Sequence, residues 1–151
     1  MPNETQVRVL VVDDHLGIRI GIASLIDAEL PGMRCVGTAA TASEALARTR
    51  ELQPDVVVLD VNLSGEDGLI LIPTLRRSAN CAVVVLTCLS DSLVAAHAQR
   101  LGAHACLNKT APAIELMTAI AAARMSLPNL ANAPLTAGKG VLSYPPGMNR
   151  P

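Results

Sequence analysis

The chain has 151 residues, half of them hydrophobic, with 12 basic and 13 acidic side chains and a formal net charge of -1. That length suits one domain with a full core, since domains cluster at about 100–150 residues. The near-zero charge excludes a general electrostatic pull toward nucleic acid or an anionic membrane, and no apolar run approaches the ~20 residues that span a bilayer.

Residues 7–12 (VRVLVV) read as a buried strand. Ile18, Ile22, Leu25 and Ile26 form an i, i+4, i+7, i+8 stripe, so the spacing predicts a helix over 16–29, stopped by Pro31-Gly32. Residues 33–38 are less apolar and suit a strand at a sheet edge. Thr41-Ala42-Ser43-Glu44 has the form of a capping box, opening a helix that runs to about Leu52. Residues 56–60, almost all Val and Leu, fit a central parallel strand covered on both faces. A loop over 62–68 leads to a helix over 69–78 in which Pro73 marks a first turn or a kink. A strand over 82–87 precedes a helix over 91–101 capped by Ser90 and closed by Gly102. A strand over 103–108 and a helix over 111–125, with Pro112 in its first turn, complete the series. Strands alternating with helices imply parallel pairing and right-handed crossovers, hence an α/β doubly wound five-stranded sheet with helices on both faces.

The composition changes after residue 126. Five of the ten prolines fall at 128, 134, 145, 146 and 151, with Gly138, Gly140 and Gly147 among them. Residues 6–126 thus form the domain, and 127–151 read as a disordered or extended linker or tail. Tyr144 is the only aromatic residue, so the core is aliphatic. The cysteines at 35, 81, 88 and 106 form no CxxC pair and show no metal spacing, and they read as core thiols rather than redox sensors. No signal peptide follows Met1, so the expected location is cytoplasmic.

Polar residues gather where the apolar runs end. Asp13-Asp14 follow the first strand, Asp60 ends the third, Thr87 ends the fourth, and Lys109 follows the fifth. In an open parallel sheet the carboxyl ends of the strands hold the ligand crevice. Three carboxylates, a hydroxyl and an ammonium in one crevice make a site for a divalent cation and a transferable phosphoryl group. Clustered carboxylates repel, and without a cation one tends to hold a proton. Singly, Asp13 and Asp60 read equally well as turn residues, Thr87 as a strand-end threonine and Lys109 as a solvated surface lysine. The joint pattern carries the reading. His15 reads as a neighbour of the site, and His97 and His104 as helix-surface and strand residues without a role.

With these motifs in place, the chain over about 6–126 resembles the receiver domain of two-component response regulators, closest to the branch that carries a LuxR/NarL-type helix-turn-helix. Asp13-Asp14-His15, Arg19 and Gly21, Asp60-Val61-Asn62-Leu63 with Gly65 and Gly68, Thr87, Gly102-Ala103 and Lys109 carry the resemblance. It implies a flavodoxin-like sheet of strand order 2-1-3-4-5. It implies Asp60 as phosphoacceptor, assisted by Thr87 and Lys109. It also implies Mg²⁺ (or Mn²⁺) held by Asp13 through water, by Asp14 and Asp60, and by the Asn62 backbone carbonyl. The expected partners are a sensor histidine kinase or phosphotransfer protein and a downstream protein, with a homodimer compatible and no nucleic acid or membrane contacted by this chain. Catalysis is limited to promoting its own phosphorylation and dephosphorylation.

Four departures stand out. Cys106 occupies a position that is usually Tyr or Phe, which puts the signalling step in doubt. Ser64 replaces a common proline and is expected to loosen the loop slightly. Thr110 follows Lys109 in place of proline, leaving open whether a strained bond aims the lysine. Leu135-Thr136 resembles the opening of a LuxR-type unit, but Ala137-Gly138-Lys139-Gly140 does not continue it. The reading is a single-domain response regulator with output by protein contact. The rivals are the receiver half of a LuxR-type transcription factor, a phosphorylation-independent docking module, and a small-molecule binder. The last is disfavoured because no glycine-rich phosphate loop follows the first strand.

Overall fold

Four consecutive valines and leucines at the end of β1 (Val7–Val12) and five residues of β3 (Val56–Asp60) are buried without interruption. Only strands covered on both faces can hide every side chain in this way. The computed structural model describes residues 6–88 and 92–128. The elements are β1, α1 (Leu16–Asp27), β2 (Met33–Ala39), α2 (Ala42–Leu52), β3, β4 (Asn62–Leu63), β5 (Glu66–Asp67), α3 (Ile72–Ser78), β6 (Ala82–Thr87), α4 (Ser92–Leu101), β7 (Ala105–Asn108) and α5 (Ala113–Met125). The main sheet has five parallel strands in the order β2-β1-β3-β6-β7, the predicted flavodoxin-like topology, and β4 and β5 form a separate two-residue antiparallel pair.

Alternation along each strand divides the core into two layers. Leu10, Val12, Val57, Leu59, Val83 and Val85 face α2, α3 and α4, meeting Ala45, Leu75 and Ala98. Val9, Val11, Val56, Val58, Val84 and Leu86 face α1 and α5, meeting Ile22, Ile26, Leu116 and Ile120. Each fully buried Val or Leu contributes roughly 1.5–3 kcal/mol. The strands are thereby fixed so that their carboxyl ends lie along one edge.

Several boundaries differ from expectation. In α1 only Ile22 and Ile26 are buried, while Ile18 and Leu25 are 37% and 43% exposed, so the core-facing stripe is narrower than its apolar spacing. Pro73 sits in the first turn of α3, after a 3₁₀ turn over Gly68–Leu71, and causes no kink. Pro112 is the N-cap of α5 rather than a first-turn residue, its ψ of 147° being extended. β7 is shorter than predicted, because Gly102 (φ 111°) closes α4 and residues 103 and 104 form the turn. His104 therefore precedes the strand. At α2, Thr41 Oγ1 accepts the Glu44 N–H at 3.1 Å, and Glu44 Oε1 accepts the Ala40 N–H at 2.8 Å, one residue earlier than a standard capping box. The cap expected at Ser90 and the tail over 129–151 lie outside the described residues. No helix of the described residues is long and apolar enough to cross a membrane.

Candidate functional site

β1, β3 and β6 end side by side, and their last residues meet. Val12 pairs with Leu59, and Asp60 pairs with Leu86. Asp13 and Asp14 therefore stand beside Asp60, and Thr87 is one residue beyond the partner of Asp60. Asp13, Asp60 and Thr87 are all buried polar residues, at 1%, 5% and 4% exposure. Lys109 reaches in from the end of β7. Its Nζ lies 2.7 Å from Asp13 Oδ2 and 3.1 Å from Asp60 Oδ2. The Lys109 N–H donates to the Thr87 carbonyl at 2.9 Å, which ties the lysine backbone to the end of β6. Asn108 Oδ1 accepts both the N–H and the hydroxyl of Thr110, at 2.8 and 2.6 Å, and folds the chain back behind the lysine. Among the described residues the one cis peptide precedes Pro31, so the bond after Lys109 is trans.

The structure draws in two residues that the sequence reading set aside. His15 Nδ1 lies 3.2 Å from Asp13 Oδ1 and 2.9 Å from Asp14 Oδ1, and the His15 N–H donates to Asp13 Oδ1 at 2.9 Å. Ser64 donates its N–H and its hydroxyl to Asp14 Oδ2, at 2.9 and 3.2 Å. Ser64 has φ 54°, a value that the proline ring cannot adopt. The expected loosening by Ser64 is thus reversed: it pins the loop to Asp14. The signal for this was available in the Ser64-Gly65 pair, a pattern typical of a turn with positive φ. Asn62, at the start of that turn, donates its N–H to Asp60 Oδ1 at 3.3 Å and accepts the Gly65 N–H at 3.0 Å through its side chain. Arg19 Nη1 donates to the Asp13 carbonyl at 2.8 Å and holds the β1 end from α1.

The electrostatics follow from these contacts. Burial raises the Asp60 carboxyl, the Lys109 hydrogen bond opposes, nearby Asp13 adds to the rise, and the net position is above the ordinary value. Burial also pushes Asp14 up, but the two Ser64 donors and His15 outweigh it, and Asp14 falls below the ordinary value. Lys109 loses some charge stability to burial and more than regains it from Asp13 and Asp60, so it is held firmly as an ammonium.

Asp13, Asp14, His15 and Asp60 each bring a ligand atom within 4.8 Å of the others. Asp14 Oδ1 is buried and accepts no hydrogen bond, and His15 Nδ1 approaches it without hydrogen-bond alignment. An unsatisfied buried carboxylate oxygen beside two more carboxylates fits a hard divalent cation, which takes oxygen ligands. Both oxygens of Asp13 already face donors, Lys109 on one and His15 on the other. Asp60 likewise faces Asn62 N–H on Oδ1 and Lys109 on Oδ2, so Asp14 Oδ1 is the carboxylate oxygen of the cluster without a donor.

A family model described as the response regulator receiver domain matches residues 9–121. The chain belongs to this family. It is 34% identical to the transcriptional regulatory protein LiaR of Bacillus subtilis (strain 168), over 82% of the chain and 59% of that protein. It is 37% identical to the response regulator GacA of Pseudomonas viridiflava, over 76% of the chain and 53% of that protein. The chain thus spans little more than half the length of these curated relatives. Among solved structures, a LuxR-family two-component response regulator from Aurantimonas sp. SI85-9A1 superposes with a TM-score of 0.74 at 33% identity, covering 80% of this chain and 86% of that one. The signal receiver domain of the NarL response regulator of Mycobacterium tuberculosis gives the same TM-score at 26% identity, covering 80% and 97%. Phosphorylation on aspartate and Mg²⁺ binding in an acidic pocket are general features of receiver domains.

Proposed function

We propose that this receiver acts in the cytoplasm, takes a phosphoryl group on Asp60 from a sensor histidine kinase or phosphotransfer protein, and loses it by hydrolysis. The observation that carries the proposal is the Lys109 bridge, with Nζ 2.7 Å from Asp13 and 3.1 Å from Asp60. A partly buried ammonium held between two carboxylates has a ready place to go when one of them becomes an acyl phosphate. An Asp60 carboxylate oxygen attacks the phosphorus of a phosphohistidine, the P–N bond breaks, and the imidazole leaves with its electron pair. The Asp60 side of the Lys109 bridge passes to a phosphoryl oxygen while the Asp13 side persists. The Thr87 hydroxyl, at the adjacent strand end, donates to another. Water attack at phosphorus then releases inorganic phosphate and restores the Asp60 carboxylate. Negative charge spreads over the transferring oxygens, so positioning and neutralisation are the chemistry required.

Asp14 and Asp60, with the Asn62 backbone carbonyl, would hold Mg²⁺ or Mn²⁺, with Asp13 acting through water. The ion supplies charge neutralisation at the phosphoryl oxygens. The output is a protein contact on the face formed by α4, β7 and α5. The length of the relatives favours one second reading, in which this chain is the receiver half of a LuxR-type transcription factor.

The test is phosphotransfer from a histidine kinase with Mg²⁺ present or chelated, using the parent chain and Asp14→Ala. Loss of transfer in chelator and in the folded variant is expected. Full-rate transfer in excess chelator refutes the metal assignment.

A further inference from the structure

His15 ends the loop between β1 and α1, and its ring meets the acidic cluster rather than the helix it opens. It is the N-cap of α1, yet its side chain makes no cap hydrogen bond. Its backbone is held on both sides. The N–H donates to Asp13 Oδ1 at 2.9 Å, and the carbonyl accepts the Arg19 N–H at 3.0 Å. The ring is therefore carried on a fixed backbone, with Nδ1 3.2 Å from Asp13 Oδ1 and 2.9 Å from Asp14 Oδ1.

Hydrogen bonding accounts for one of these approaches and not for the other. An imidazole nitrogen carries at most one proton, and the hydrogen bond of Nδ1 runs to Asp13 Oδ1. Asp14 Oδ1 is the nearer oxygen, and it is buried without a hydrogen-bond partner. Two electron-rich atoms at 2.9 Å with no proton between them form an arrangement that a shared cation stabilises. Octahedral bonds of about 2.1 Å set adjacent donors about 3.0 Å apart. The Nδ1 spacings of 2.9 and 3.2 Å bracket that value. Asp60 belongs to the same set, since Asp13, Asp14, His15 and Asp60 each offer a ligand atom within 4.8 Å of the others. The other two histidines, His97 on α4 and His104 in the turn before β7, lie outside it.

We propose that His15 Nδ1 is a further ligand of the divalent ion at Asp14 and Asp60, and that it tunes the site toward a borderline transition dication (Co²⁺, Ni²⁺ or Zn²⁺) over Mg²⁺. The inference rests on the metal reading given above. Mg²⁺ is a hard ion that takes oxygen ligands and keeps several waters, so an imidazole adds little to its binding. Co²⁺, Ni²⁺ and Zn²⁺ bind imidazole nitrogen well, so the same ring adds to theirs. The tautomer required carries its proton on Nε2 and presents the Nδ1 lone pair to the ion.

The experiment uses the full chain with Co²⁺ alone as the probe. Proton NMR of the Co²⁺-loaded parent is expected to show one exchangeable imidazole N–H resonance far outside the diamagnetic range. That resonance should be absent from His15→Ala and from Asp14→Ala. Calorimetric titrations with Mg²⁺ and with Co²⁺ give the ratio of the two affinities. The preference for Co²⁺ is expected to fall about tenfold or more in His15→Ala. His15→Asn, which replaces the ring nitrogen with an amide, gives the same readout if His15→Ala fails to fold. Asp14-dependent Co²⁺ binding without a shifted imidazole resonance overturns the role of His15 and leaves the metal reading standing. A resonance that survives in both His15 variants, or an unchanged affinity ratio, overturns that role as well. A folded parent that binds neither Mg²⁺ nor Co²⁺ overturns both.

Discussion

Ser64 donates twice to one oxygen of Asp14, its N–H at 2.9 Å and its hydroxyl at 3.2 Å from Oδ2. The bond pair crosses from the loop after β3 to the end of β1. It sets the position of one carboxylate of the acidic cluster from the loop that follows Asp60. Proline at 64 has no N–H and cannot take φ 54°. Ser64→Pro is therefore expected to cost about 1–3 kcal/mol, a fall of several degrees in melting temperature. Ser64→Ala keeps the backbone donor and should cost about 1 kcal/mol or less. Equal melting of Ser64→Pro and the parent would show that the loop relaxes without loss.

The two shifted carboxylates oppose each other in pH dependence. Asp14 is depressed below the ordinary aspartate value of 3.8, so it adds stability above that value, lost as pH falls through its folded pKa. Asp60 is raised above 3.8, so its ionisation costs stability at neutral pH, and the cost vanishes below 3.8. Asp60→Asn should thus be more stable than the parent at pH 7 without divalent metal, by about 1 kcal/mol. The gap should close under acid. Denaturant melts at pH 7 and pH 3 check this, and a variant less stable at pH 7 would contradict the assigned direction.

Gly68 lies directly under the loop that follows Asp60. Its N–H donates to the Val61 carbonyl at 2.6 Å, and a Cβ there would collide with the Asp60 and Val61 carbonyl oxygens. Gly68→Ala must displace backbone rather than a flexible side-chain tip. The expected loss is about 2 kcal/mol or more, with slower phosphorylation because Asp60 moves. Parent-like stability and rate would show that the loop shifts freely.

Most of the fold was legible because its signals are local and repeated. Valine runs in β1, β3 and β6 can only be buried strands, and each ends on a site residue. Asp13, Asp14, Asp60 and Thr87 follow from those runs and Lys109 from the weaker apolar patch of β7, and the structure brings all five to one sheet edge. His15 and Ser64 were underweighted because their parts depend on tertiary approach. Nothing in a histidine after two aspartates says that its ring turns back onto both. Lys109 reads in the sequence only as a contact to a phosphoryl group; its resting partners, Asp13 and Asp60, lie 96 and 49 positions away (109 − 13, 109 − 60), and only the sheet order makes them neighbours. The stripe on α1 misled in the other direction, because apolar spacing marks a face without saying what covers it.

Cys106 pairs with Val85 across β6 and β7 and is only partly buried. No bulky side chain stands there to follow Thr87 toward a phosphoryl group. Beryllofluoride with Mg²⁺ should therefore perturb the α4–β7–α5 face weakly in the parent and more strongly in Cys106→Tyr. Amide shift changes measured by NMR decide it. Equal perturbation in the two proteins would show that the state of the site reaches the surface by another route.

The phosphoacceptor assignment is tested most directly by intact-protein mass after incubation with Mg²⁺ and a small phosphodonor. The parent chain should gain one acid-labile phosphoryl group, and Asp60→Asn should gain none. A stoichiometric acid-labile phosphoryl group on folded Asp60→Asn would contradict the assignment.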